Sequence, residues 1–355
     1  MAGILERYRK FYNFAPNYEI ISLEEGNTPL VPAQRIAEEA MRRSGHKNIK
    51  VFLKFEGLNP TGSFKDRGMT YAVSQAKADG YTHIICASTG NTSASAAAYG
   101  ARAGLKTLVI LPGGKVALGK LSQAVLYGAS IVEIDGNFDQ ALDIVRELGA
   151  TGKACIVNSV NPFRLQGQKT GAFEVCDVLG EAPDDVFIPV GNAGNITAYW
   201  MGFKEYSDHG ITKKRPRMHG YEAEGSAAIV YGHKVENPET IATAIRIGNP
   251  ASWESALTVR EESGGGIDFV NDAEIIDAYR LVASKEGIFC EPSSAASIAG
   301  MFKRADAGGL KDNSTIVCVL TGNGLKDPDS AMTYGIPDRA QLPADFGQVA
   351  NFFKL

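Results

Sequence analysis

Lys65 is placed in this sequence as a nucleophile would be. It lies in Asn59-Pro60-Thr61-Gly62-Ser63-Phe64-Lys65-Asp66-Arg67-Gly68, a turn that reads as feeding a helix, with the lysine near the first helical turn. The positive end of the helix dipole opposes a cation there and lowers the pKa of an amine. That suits a lysine forming a Schiff base with an aldehyde cofactor. A solvated lysine at a helix start fits the same spacing, and the turn alone does not choose between the two.

Three further turns carry polar groups at the ends of apolar runs. Ala87-Ser88-Thr89-Gly90-Asn91-Thr92-Ser93-Ala94 enters the small-residue stretch Ser95 to Ala103. Its hydroxyls, its glycine and the open N–H groups of a helix start make a carboxylate site, or an N-cap rich in serine and threonine. Val190-Gly191-Asn192-Ala193-Gly194-Asn195 separates an apolar strand from a helix. Its two glycines allow successive N–H groups to converge as a phosphate nest, although a plain tight turn has the same spacing. Thr321-Gly322-Asn323-Gly324 follows the last apolar run and would turn one hydroxyl toward a ligand. An amine, a carboxylate site, a phosphate nest and a hydroxyl together are what pyridoxal phosphate chemistry on an amino acid requires. A rival motif fails: Gly114 to Lys120 has the spacing of a nucleotide-binding loop, but Leu121 stands where a magnesium-binding Ser or Thr is needed. No Gly-x-Gly-x-x-Gly follows the first strand, which argues against a nicotinamide cofactor.

The elements that must position these turns alternate regularly. Apolar runs at Lys50 to Phe55, His83 to Ala87, Thr107 to Leu111, Ser130 to Ile134, Cys155 to Asn158 and Val186 to Val190 precede stretches of helical length. Those stretches are Lys65 to Ala78, Asn91 to Ala103, Leu118 to Tyr127, Phe138 to Leu148, Gly167 to Leu179 and Asn195 to Tyr206; Thr315 to Leu320 is the last run. Such alternation predicts an α/β fold, with parallel sheets covered by helices on both faces and ligands beyond the carboxyl ends of the strands. Gly264-Gly265-Gly266 and the tail after Asp327 read as surface punctuation.

A chain of 355 residues has room for two domains. With 36 basic against 40 acidic residues and a net charge of -4, it has no basic excess for nucleic acid and no polybasic segment for a membrane surface. No run of about 18 apolar residues and no apolar leader occurs, so the cytoplasm is the expected compartment. The five cysteines show no Cys-x-x-Cys pair and read as reduced core residues; the five histidines show no ligand spacing, so no metal is expected.

From Glu25-Gly26-Asn27-Thr28-Pro29-Leu30 to Gly324, the chain resembles the tryptophan-synthase-β-like, fold-type II pyridoxal phosphate enzymes. The likeness rests on Lys65 in its Pro-Thr-Gly-Ser-Phe-Lys-Asp-Arg-Gly motif, Asn91, Gly191 to Asn195 and Thr321, in that order. It implies Lys65 as the catalytic Schiff-base lysine and Gly191, Asn192, Ala193, Gly194 and Asn195 as the cofactor's phosphate loop. It implies Thr321 at the pyridine nitrogen, Asn91 at the 3′-oxygen, and Ser88, Thr89, Asn91 and Thr92 around the substrate carboxylate. Within the family the chain is similar to the threonine synthases: Asp66 follows Lys65, and Thr92 stands where serine and threonine dehydratases usually carry His. Gly114 to Leu121 and Asn158-Ser159-Val160-Asn161-Pro162-Phe163-Arg164 also look like that branch. Its substrate, O-phospho-L-homoserine, has two anionic ends, and Arg164, Asn158 and Thr92, with Lys115 and Asn192, would hold it. An arginine on the surface or in a salt bridge is the alternative for Arg164, and a threonine or serine dehydratase is the alternative activity. The resemblance also implies a large cofactor-binding lobe of residues 1–60 and 158–355, a small mobile lobe of residues 61–157, and a homodimer. With no extension ahead of Met1, the allosteric control of longer relatives is not expected.

Overall fold

The computed structural model describes residues 2–113, 118–335 and 339–355. Ten strands form two sheets: β1 Leu30–Pro32, β2 Ile49–Phe55, β3 His83–Ala87, β4 Lys106–Pro112, β5 Ser130–Ile134, β6 Cys155–Ile156, β7 Asp185–Pro189, β8 Arg217–Ala223, β9 Gly266–Val270 and β10 Ser314–Leu320. The larger sheet runs β1-β2-β10-β7-β8-β9 and the smaller β5-β4-β3-β6. Every pairing is parallel except that of β1 with β2 at one edge. The α/β expectation holds, and the alternation of apolar side chains explains why both faces are covered. Ile316, Cys318 and Leu320 of β10 enter one core while Val317 and Val319 enter the core on the opposite face. In the small sheet Ile84 and Cys86 face one way and Ile85 and Ala87 the other.

Four features depart from the expected pattern. β8 is absent from the apolar runs because Arg217, His219 and Glu222 interrupt it, yet it is an interior strand of the large sheet, between β7 and β9. Its start is made buriable by Asp185 at the head of β7, which accepts from Arg217 Nη2 at 2.7 Å and pairs with His219 Nε2 at 2.7 Å. The glycine cluster is more than surface punctuation. Gly264 closes the helix Trp253–Ser263 at φ 63° and Gly266 already belongs to β9. The expected helix Gly167 to Leu179 is two helices, Pro162–Gln168 and Thr170–Leu179, which meet at Lys169. The tail after Asp327 contains the helices Pro328–Tyr334 and Phe346–Phe353.

Two helices bring the sheets' carboxyl edges together. The lysine helix, Lys65–Ala78, crosses the helix Pro162–Gln168 where Gly68 faces Gly167. A Cβ on Gly167 would lie 1.9 Å from the Arg67 carbonyl oxygen, and one on Gly68 would lie 2.9 Å from that of Arg164. Glycine at both positions lets the backbones touch, and this close crossing sets Arg164 beside Lys65. Behind the crossing lies a fully buried ionic cluster. Arg67 donates to Glu56 at 2.6 and 2.8 Å and to Glu174 at 2.6 and 3.0 Å, and Lys54 donates to Glu174 at 2.7 Å. No helix among the described residues is long and apolar enough to cross a membrane. All five cysteines are free thiols, and four of them are buried.

Candidate active site

The lysine turn is stitched to the end of β10. Phe64 N–H donates to the Thr321 carbonyl at 3.0 Å and Asn323 N–H to the Gly62 carbonyl at 2.9 Å, around a bridge between Ser63 and Gly322. Asp66 closes the turn from within, accepting from the backbone and hydroxyl of Thr61, both at 2.6 Å, and from Ser95 Oγ at 2.6 Å. Lys65 is thus the first residue of its helix, as expected, with Nζ 4.1 Å from the centroid of the Phe64 ring. Burial, assisted by the nearby Arg164 charge, pushes its amine down to about 7 against the pull of Glu291. Such an amine is substantially unprotonated near neutral pH and can act as nucleophile and base.

The second turn leaves β3 opposite the lysine. Ser88 to Thr92 are all partly exposed, between the buried end of β3 and the buried helix Asn91–Ala103. Asn158 uses its side chain as a strand would: Nδ2 donates to the Ala87 carbonyl at 2.9 Å and Oδ1 accepts from Ala87 N–H at 3.0 Å. Both its polar atoms are therefore engaged in holding the end of β3 just before Ser88. The helix cap is Gly90, with no side-chain cap; Ser88 Oγ instead accepts from the N–H groups of Gly90 and Ser93 at 3.2 and 3.3 Å. Asn91 reaches the other sheet, where its Nδ2 donates to the carboxylate of Glu291 at 3.1 and 3.3 Å.

The turn after β7 bends through a left-handed residue that the glycines did not suggest. Its left-handed residue is Ala193, at φ 62°, and neither Gly191 nor Gly194. Gly191 is needed for space, since a Cβ there would lie 2.9 Å from the Ile245 Cα. Gly194 opens the helix Gly194–Asp208, whose first N–H groups have no partner within the helix. Asn192 is braced by Ala251 N–H, which donates to its Oδ1 at 3.2 Å, and by Ser252 N–H, which donates to its carbonyl at 3.1 Å. Asn195 joins this turn to the crossing helices, its Nδ2 donating to Gln168 Oε1 at 3.3 Å, while its Oδ1 is buried without a partner.

Arg164 is neither on the surface nor in a salt bridge among the described residues. It is 2% exposed, Nη1 donates to the Val157 carbonyl at 3.0 Å, and Nε is buried without a partner. Burial pushes it down to about 10. Thr321 is also buried, its Oγ1 3.0 Å from Ser294 Oγ and 3.4 Å from Glu291 Oε1. The structure therefore brings Asn91 and Thr321 together at Glu291, sets Lys65 within reach of the Arg164 and Glu291 charges, and ties the Gly191 turn to the lysine helix through Asn195 and Gln168. Lys115 lies outside the described residues. Sequence reasoning missed Glu291, Ser294 and Gln168. Glu291 precedes Pro292 at the head of a small-residue helix, Pro292–Asp306, much as Asn91 heads its own helix, and that likeness was the available signal.

Residues 21–322 match the family model of the pyridoxal-phosphate dependent enzymes. The chain is 58% identical to a threonine synthase of Halalkalibacterium halodurans over 97% of its own length and 95% of the relative's. A threonine synthase of Synechocystis sp. is 57% identical, with 98% of this chain and 90% of the relative covered. Another, from Methanocaldococcus jannaschii, is 50% identical over 92% of this chain and 81% of the relative. Among solved structures, threonine deaminase isoform 2 of Solanum lycopersicum superposes with a TM-score of 0.74 at 23% identity, covering 88% of each chain. Maize serine racemase does so with a TM-score of 0.71 at 20% identity, covering 93% of this chain and 92% of that one. At these identities the likeness is one of fold.

Proposed function

The chain belongs to the pyridoxal-phosphate dependent enzymes and, within them, to the threonine synthases; from that premise we propose that it converts O-phospho-L-homoserine and water to L-threonine and phosphate. The observation that carries a phosphorylated substrate is Arg164, a buried guanidinium near Lys65 whose Nε has no partner and which has no ion pair within 4.0 Å among the described residues, Asp66 acting on it only through space. A buried cation of this kind is stabilised by an anion that arrives as ligand.

The residues present suit the cofactor. Lys65 has its pKa brought down to about 7, Gly191 leaves no space for a Cβ, and the helix that begins at Gly194 starts with N–H groups that have no partner within it. In our reading Lys65 would hold its aldehyde end, Gly191 to Asn195 its phosphate, Asn91 its 3′-oxygen and Thr321 its ring nitrogen. When bound, pyridoxal phosphate supplies an electron sink that makes the substrate's Cα proton removable. Freed once the substrate's amino group has replaced it, Lys65 would take that proton, give it up before removing a second from Cβ as phosphate leaves Cγ, and return protons to Cγ and Cα as water adds at Cβ, the water's own proton leaving with the phosphate. One amine can serve every transfer because Cα and Cβ are adjacent atoms. Ser88, Thr89 and Thr92 hold the carboxylate, Arg164 holds the phosphate, and Asn158 supports the Ser88 turn from behind.

We further propose that residues 61–157, which contain a separate sheet, close as the small lobe over residues 1–60 and 158–355. A cytoplasmic homodimer is proposed by resemblance, and sedimentation of the purified protein tests the dimer. The deciding experiment for the activity compares phosphate release from O-phospho-L-homoserine with oxo-acid formation from L-threonine. Faster release of phosphate is expected; oxo-acid formation as the main activity would replace this reading with a dehydratase.

A further inference from the structure

Glu291 is a buried carboxylate that the proposed reaction leaves without a task. It is 4% exposed and has no ion-pair partner within 4.0 Å among the described residues, although Lys65 and Lys326 are near enough to act on it through space and Asp327 opposes them. A carboxylate in such a place costs stability and is retained where its hydrogen bonds serve another purpose. Those bonds run to two side chains from different sheets. Asn91 donates to both carboxylate oxygens at 3.1 and 3.3 Å, and Thr321 Oγ1 donates to Oε1 at 3.4 Å.

We propose that Glu291 is a positioning residue for cofactor binding: its carboxylate fixes the amide plane of Asn91 and the hydroxyl of Thr321, the two groups assigned to the polar edge of the pyridoxal phosphate ring. The inference rests on that assignment. The Asn91 amide nitrogen carries two hydrogens; Glu291 takes one and leaves the other free to donate. Thr321 is bracketed by Glu291 and Ser294; its one hydrogen goes to Glu291, which leaves its oxygen to face the ring nitrogen as an acceptor. The surrounding backbone is shaped to the carboxylate. Glu291 N–H donates to the Gly322 carbonyl at 3.0 Å, Cys290 bridges Asn323, and a Cβ on Gly322 would lie 2.4 Å from Glu291 Oε1. Burial raises the carboxyl above its ordinary range.

The test titrates pyridoxal phosphate into the cofactor-free chain and follows Kd, with the melting temperature of the cofactor-free form as control. Glu291→Met removes charge and acceptor while filling the space. It should weaken binding about tenfold, as loss of a charge-assisted hydrogen bond does, with a melting temperature at or above that of the parent. Glu291→Gln keeps an oxygen for Asn91 and should restore Kd to within about threefold of the parent. Asn91→Ala should weaken binding by about as much as Glu291→Met, and the double variant should be little worse than either, because one acts through the other. Loss in Asn91→Ala beside parental affinity in Glu291→Met would overturn the inference alone. Parental affinity in Asn91→Ala would overturn the site assignment and the inference with it. A fall in affinity that follows a fall in melting temperature without rescue by Gln, or failure of Glu291→Met to fold, would assign Glu291 to the fold and overturn the proposal.

Discussion

Buried charge is handled in opposite ways on the two sides of the lysine helix. Behind it, Arg67 and Glu174 are paired so completely that Arg67 is held well above its ordinary range and Glu174 well below its own, although burial still brings Lys54, the outer member of the cluster, down. In front, Arg164 and Glu291 are buried and Lys65 half-buried, each with few partners, and desolvation wins for each: both cations titrate low and the carboxyl titrates high. Lys65 and Arg67 are two positions apart on one helix, so the contrast comes from what the rest of the chain places opposite each of them. Charges satisfied within the protein build the scaffold, whereas charges left short of partners mark where a ligand supplies them.

Substitutions on the two sides should therefore fail in different assays. The largest effect is expected at the front: Lys65→Ala should cut turnover by about 10⁴-fold, or about 5.5 kcal/mol, and abolish the visible absorption of the bound cofactor, with little change in melting temperature. An unchanged visible spectrum would remove Lys65 from the site. At the back, Arg67→Met strands two buried carboxylates and should cost about 3–5 kcal/mol of stability, read by denaturant unfolding. If that variant kept its stability and lost only activity, the division into scaffold and site would break. Arg164→Ala comes next, with a loss of about 10–100-fold in kcat/KM for O-phospho-L-homoserine, equivalent to about 1.5–3 kcal/mol. Binding of unphosphorylated amino acids should be spared, and an equal loss for both substrate types would make Arg164 structural. The smallest effect concerns pH. Between about 7 and the ordinary lysine value of 10.5 the unfolded chain holds a proton on Lys65 that the folded chain has released. The cofactor-free protein should therefore gain stability as pH rises through that window, and melting curves of Lys65→Met should show a shallower rise.

Much of the frame was legible in the residues. His83–Ala87, Lys65–Ala78 and Asn91–Ala103 have the boundaries their apolar spacing predicts, because each element's periodicity is written in its own side chains. The four turns were legible for a related reason: in a parallel sheet, whatever follows a strand lies at the ligand edge. β8 was not legible, because Arg217 and His219 become buriable only through Asp185, 32 and 34 residues away. The left-handed Ala193 was hidden as well, since local preference would assign that conformation to the glycines beside it.

The sequence by itself determined the α/β class, the residue types at the strand ends and the candidacy of Lys65, all of which depend on local order along the chain. Only the tertiary structure decided that Arg164 is buried without an ion-pair partner among the described residues, that Asn158 braces the Ser88 turn through Ala87, and that Glu291 joins Asn91 to Thr321. Those facts depend on partners contributed by distant segments. Desolvation and hydrogen bonding act through space, so a residue's charge state and its task are set by neighbours that its own stretch of sequence does not contain.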